Sequence, residues 1–82
     1  MKLPRDVSGR DLARRLAGFG YRITRQSGSH MRLSTQQSGE HHITIPDHDP
    51  LRVGTLAGIL GDLSLHFGLP KEAVLRRLFG DG

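Results

Sequence analysis

The chain has 82 residues, no cysteine, and twelve Lys and Arg against eight Asp and Glu, for a formal charge of +4. That length fits one domain, residues 1–82, with a core too small to enclose a deep cavity, so an active site should be shallow and surface-mounted. The missing cysteines exclude disulfides and thiolate metal sites, and a pI near 10.7 favours a polyanionic partner, most simply nucleic acid.

Only Lys2 and Lys71 are lysines; the other ten cations are arginines. Guanidinium presents a planar fork that matches phosphate and stacks on bases. The N-terminal stretch from Met1 to Asp6 lacks the apolar run of a signal peptide. No later stretch is long and apolar enough for a transmembrane helix. A cytoplasmic protein without membrane contact is the expectation.

In chain order, Ser8 is a helix N-cap with Asp11 three residues on. Leu12, Leu16 and Phe19 then share one helical face with Ala13, and Gly18 and Gly20 are stop signals, so a helix is predicted over roughly Gly9 to Ala17 or Gly18. The period next becomes alternating. Tyr21, Ile23 and Arg25 fall on one face and Arg22, Thr24 and Gln26 on the other. After the Ser27-Gly28-Ser29 turn, Met31 and Leu33 oppose His30, Arg32 and Ser34. The polar run Gln36 to Glu40 leads to a third strand, with Ile43 and Ile45 inward and His42 and Thr44 outward. Pro46 to Pro50 reads as a loop. Leu56, Ile59, Leu60 and Leu63 form a helical stripe extending to about Phe67, in which Gly58 and Gly61 permit close packing on the sheet or a kink. Gly68-Leu69-Pro70 ends that helix, and Lys71 to Phe79 forms a last one with Val74, Leu75 and Leu78 inward.

The fold class is therefore α+β: a three-stranded antiparallel sheet in the order α-β-β-β-α, with helices on one face and a short C-terminal helix. Regular hairpins centred on Gly28 and Ser38 set Gln26 opposite His30, Thr24 opposite Arg32 and Arg22 opposite Ser34. On the second pair Ser34 faces His42 and Arg32 faces Thr44. The open sheet face then carries His30, Arg22, Arg32, His42 and Thr24, with His48 in the loop just past its edge.

Histidine takes and gives a proton near neutral pH without special tuning. Cleaving RNA needs a base for the ribose 2′-OH and cations for the charge growing on phosphoryl oxygens. His30 beside Arg32, assisted by Arg22 or Arg25, meets that need, and the Gly28-Ser29 turn adds backbone N–H groups and the Ser29 hydroxyl for a phosphate. By itself this signal is thin, since a solvent-facing histidine at a strand start is commonly an ordinary surface residue. Gly28-Ser29-His30-Met31 also spells the remnant of a purification tag, but here it joins two strands in register. His41, His42, Asp47, His48 and Asp49 invite a metal, yet His41 and His42 point to opposite faces of a strand and no ligand spacing is recognisable. No metal and no cofactor are expected. No phosphate-binding glycine loop is present, and no Ser nucleophile has an evident base and orienter.

Lys2-Leu3-Pro4-Arg5, Ser8-Gly9, Gly20-Tyr21 and Arg25-Gln26-Ser27-Gly28-Ser29-His30-Met31-Arg32-Leu33 resemble the N-terminal half of HicA toxins. Ile43-Thr44-Ile45-Pro46, His48, Leu51, Gly54-Thr55-Leu56 and Ile59-Leu60 are similar to that family's second half, so the likeness runs from about Lys2 to Leu60. The resemblance implies a double-stranded-RNA-binding-domain-like fold and a ribosome-independent mRNA interferase, neutralised by a HicB-type antitoxin that covers the active site. It also sets the catalytic histidine at His30. The reading is a metal-independent endoribonuclease with His30 as acid or base and Arg22, Arg25, Ser29, Arg32, His42 and His48 on RNA or phosphate. His48 and His42 are the candidates for a second proton carrier. The alternative is a non-catalytic RNA-binding domain of the same fold.

Overall fold

Residues 3–80 are described by the computed structural model; Met1 and Lys2, where the resemblance starts, lie outside them. The Ser8 hydroxyl caps the first helix as expected, accepting from the Asp11 N–H at 3.0 Å. Helix α1 covers Gly9–Arg15 and tightens into a 3-10 turn over Leu16–Phe19. The α-helix thus ends before the predicted Ala17 or Gly18. Gly20 sits in the left-handed region at φ 82°, and the Tyr21 N–H folds back on the Leu16 carbonyl at 3.2 Å, which closes the last turn early.

Strands β1 (Arg22–Ser27), β2 (His30–Thr35) and β3 (His41–Pro46) form an antiparallel meander with β2 central. Helices α2 (Val53–Phe67) and α3 (Lys71–Phe79) complete the α-β-β-β-α order with its C-terminal addition. Met31, Leu33, Ile43 and Ile45 from the sheet are buried in one cluster with Leu12, Leu16 and Phe19 and with residues of α2 and α3. Each such side chain withdrawn from water contributes about 1.5–3 kcal/mol, so the face carrying them is fixed toward the helices. Among the described residues Thr35 is the buried polar exception, and its hydroxyl donates to the Phe19 carbonyl at 2.8 Å.

The β2–β3 register is the expected one, with Ser34 opposite His42 and Arg32 opposite Thr44. The β1–β2 register differs near the turn. Ser27 pairs with His30, Gln26 with Met31 and Arg25 with Arg32, whereas Ile23–Leu33 and Arg22–Ser34 follow the expected spacing. The cause is a two-residue turn, Gly28-Ser29, with Gly28 first at φ 57°, a position that favours glycine. It leaves one residue surplus on β1, absorbed as a bulge at Thr24. Arg25, expected on the inward set, consequently shares the open face with Arg32, and Gln26 moves to the other side. Ile23 stays on the helix side but is 50% exposed, across a shallow cleft from Arg10, Ala13 and Arg14 of α1.

The glycines of α2 do not serve close packing on the sheet. Nothing lies within 4 Å of a side chain built at Gly58, and Gly61 meets only the end of Lys71 at 3.8 Å. The close approach occurs instead at Gly9, where a Cβ would fall 2.0 Å from the Pro46 carbonyl oxygen. Among the described residues, no helix is long and apolar enough to cross a membrane.

Candidate active site

His30 begins β2 directly after the Gly28-Ser29 turn and pairs with Ser27 on one side and Pro46 on the other. Its side chain is exposed, on the face opposite buried Met31 and Leu33. The turn is anchored from outside the hairpin: the Asp47 N–H donates to the Ser29 carbonyl at 2.6 Å. Asp47 also receives Arg10 at 3.1 Å, and the His48 carbonyl accepts from the Gly9 N–H at 2.8 Å. The His48 loop is therefore held between the catalytic-candidate turn and the start of α1. That explains the glycine at position 9, since only a bare Cα admits the end of β3 so closely.

The arginines divide into two groups. Arg14 and Arg15 both reach Asp11 at 3.0 Å, and the Arg15 hydrogen bond leads the causes holding the Asp11 carboxyl below its usual range. Arg77 lies over the Phe19 ring at 4.0 Å and donates to the Gly18 carbonyl at 3.1 Å. Arg22, Arg25 and Arg32 differ: all are exposed, and none forms an ion pair among the described residues. Arg25 and Arg32 are direct cross-strand partners. Like charges so placed repel and destabilise a sheet. The cost is relieved when an anion sits between them, and His30 is the next open-face position along β2 on the side of the turn.

His42 occupies the other end of the same face, opposite Ser34. Its Nδ1 is 2.5 Å from the Ser34 hydroxyl and its Nε2 is 2.8 Å from the Glu40 carboxylate. The Thr24 hydroxyl continues the chain, 3.2 Å from Ser34 Oγ. A serine, a histidine and a carboxylate are thus connected, contrary to the sequence expectation that no serine has such partners. Register alone already pairs Ser34 with His42; Glu40 joins because the loop reverses within two residues of His42. Among the described residues the rest of an acyl-transfer site is lacking, since Ser34 lies on the central strand, where backbone N–H groups serve the ladders rather than an oxyanion. Ser34 is four residues along β2 from His30, roughly 13 Å at strand rise, so His42 and His30 do not meet on one phosphate.

His41 turns to the opposite face. Its Nδ1 is 2.7 Å from the Tyr21 hydroxyl, and its ring stacks on His66 at 4.3 Å between centroids. Burial, helped by His66, pushes His41 below the usual histidine range, while Asp62 pulls the other way. Burial and Asp62 push Tyr21 up to about 12. His66 Nε2 donates to the Gln37 and Gly39 carbonyls at 2.9 and 3.1 Å, which fastens the β2–β3 loop to α2. These two histidines are structural. Among the described residues no group of three or more His, Asp or Glu side chains is arranged to hold a metal ion.

A family model described as the HicA toxin of bacterial toxin–antitoxin systems matches residues 9–65. No curated protein and no solved structure matches the chain. The matched stretch begins at the close contact of Gly9 with Pro46 and contains the whole sheet, the Gly28-Ser29 turn and nearly all of α2.

Proposed function

We propose that this chain, which belongs to the HicA family of toxins in bacterial toxin–antitoxin systems, is a metal-independent endoribonuclease that cleaves mRNA in the cytoplasm with His30 as its acid–base residue. The observation that carries the reading is the Arg25–Arg32 couple on the open face beside His30, without an ion-pair partner among the described residues. Two guanidinium groups without a carboxylate form a phosphate clamp, and a histidine at its edge supplies the proton chemistry. His30 takes the proton of the ribose 2′-OH, the 2′-oxygen attacks phosphorus, and the bond to the 5′-oxygen breaks. A second group protonates that leaving oxygen, giving a 2′,3′-cyclic phosphate and a 5′-hydroxyl end. His48 is the better placed for this role, because its loop is tied to the Ser29 turn. His42 is set farther along the face and engaged with Ser34 and Glu40. Arg22 and Ser29 extend the contact to neighbouring phosphates. A HicB-type antitoxin neutralises the toxin by covering this face.

The test is incubation of the purified protein with single-stranded RNA in EDTA. The parent should cut and leave cyclic-phosphate ends. His30→Ala should unfold at nearly the same temperature, since the side chain is exposed, and leave the RNA intact. An RNA that is bound but never cut by the parent would instead establish the non-catalytic RNA-binding domain.

A further inference from the structure

A second feature of the open face lies beyond the His30 end. A shallow depression of about 530 Å³ is lined by Gly20, Arg22, Thr24, Ser34, Gln36 and Gln37, with Thr35 at its floor. Its volume is in the range of clefts that hold small ligands. It shares Arg22, Thr24 and Ser34 with the face that carries His30, so a single strand crossing His30 and the Arg25–Arg32 pair reaches it along β2.

Gln37 is held in an unusual way. Its backbone N–H donates to the Thr35 hydroxyl at 3.1 Å and its carbonyl accepts from His66 Nε2 at 2.9 Å. The main chain is thus pinned on both sides, while the side-chain amide makes no hydrogen bond among the described residues. That amide lies over Gly20: a Cβ there would be 2.7 Å from Gln37 Nε2 and 2.8 Å from its Cδ. Gly20 thereby leaves room for the amide, and Thr35 and His66 fix the backbone from which it projects. A primary amide offers one donor and one acceptor side by side, a pattern that complements the edge of adenine. Arg22, with no carboxylate partner among the described residues, stands in the same depression to take the phosphate of that nucleotide.

We propose that this depression is a base-reading subsite for a nucleotide flanking the scissile phosphate, with Arg22 on its phosphate and the Gln37 amide on its base, adenine being the preferred one. The proposal rests on the RNA-cleaving reading above, but its test reads binding and not cleavage. Short 2′-O-methyl RNA oligonucleotides, which have no 2′-OH to attack, are titrated into the full chain. Each differs only in the base at one position, and affinity and the side-chain amide resonances of Gln36 and Gln37 are followed. The expected result is a saturating shift of the Gln37 amide and about tenfold tighter binding of the adenine-bearing oligonucleotide, the low end of what one paired contact discriminates. Gln37→Ala should bind all four oligonucleotides alike, with an unchanged melting temperature. Gln37→Glu, an acceptor only, should turn the preference toward cytosine. A preference profile in Gln37→Ala that superimposes on the parent's, an unshifted Gln37 amide, or no binding of any oligonucleotide overturns the subsite. A parent that shows this preference yet leaves ordinary RNA uncut refutes only the cleavage reading.

Discussion

Replacing Gly9 with alanine tests how the His30 end of the sheet is held. The new Cβ would lie 2.0 Å from the Pro46 carbonyl oxygen and 3.3 Å from the Asp47 Cα. Both are backbone atoms, so no flexible side chain can yield. Separating α1 from the end of β3 also strains the Gly9 N–H to His48 carbonyl bond of 2.8 Å. Overpacking of this kind costs about 1–3 kcal/mol and a weakened hydrogen bond about 1 kcal/mol. The better helix propensity of alanine returns at most about 1 kcal/mol. The net loss is about 2 kcal/mol, or a fall of roughly 8–16 °C in Tm for a domain of this size. Gly58→Ala is the matched control. It lies in α2 with nothing within 4 Å of its would-be Cβ, so the propensity gain stands alone and Tm should rise by roughly 4–8 °C. The assay is thermal unfolding by circular dichroism, with RNA cleavage measured well below both transitions. Gly9→Ala should lose cleavage even where it is fully folded, because Pro46 is the strand partner of His30. If Gly9→Ala melts at or above the parent temperature, the close packing of α1 against β3 is wrong, and with it the account of how the His30 turn is fixed.

Other consequences can be measured separately. Replacing Arg25 or Arg32 with glutamine should weaken RNA binding at low salt, and each should reduce the slope of log affinity against log salt by about 0.7; an unchanged slope would take that arginine off the phosphate. Tyr21 is the single tyrosine in the chain, so a near-ultraviolet absorbance titration reads it alone. Its midpoint should lie near 12 while the protein remains folded, and a midpoint at the ordinary value of 10.0 would contradict its burial. His41 has a folded pKa depressed below the ordinary 6.5, so the unfolded chain binds the extra proton first as pH falls. The stability it contributes is full above about pH 6.5 and is lost as pH falls through its lower folded value. Denaturant midpoints from pH 8 to pH 5 should therefore decline, and His41→Gln, next to His42, His66, Asp62 and Tyr21, should flatten that decline. An identical decline in the variant would assign the effect to other groups.

Much of this architecture is readable from residue spacing. The Ser8 cap, the inward sets Leu12, Leu16, Phe19 and Met31, Leu33, Ile43, Ile45, and the Ser34–His42 and Arg32–Thr44 pairs follow from periodicity and turn chemistry. The β1–β2 register near the turn does not. Ser27-Gly28-Ser29 is compatible with a three-residue or a two-residue turn, and the difference is one residue of strand. Choosing the longer turn moves Arg25 to the wrong face and hides the Arg25–Arg32 pair. The role of Gly9 is equally silent in sequence, because its constraint comes from Pro46, far along the chain. Gln37 reads as loop filler until Thr35, His66 and Gly20 are seen around it. His30 is legible only with the family likeness beside it, since one exposed histidine among five carries little weight by spacing alone.

The bulge at Thr24 has one more effect. β1 is an edge strand whose six residues are all exposed, and such an edge ordinarily invites a second chain to add a strand. A bulge increases local twist and breaks the regular row of N–H and C=O groups, and the positive charges of Arg22 and Arg25 repel a like edge. The same surplus residue that brings Arg25 opposite Arg32 thus also guards the open edge of β1 against pairing with another strand.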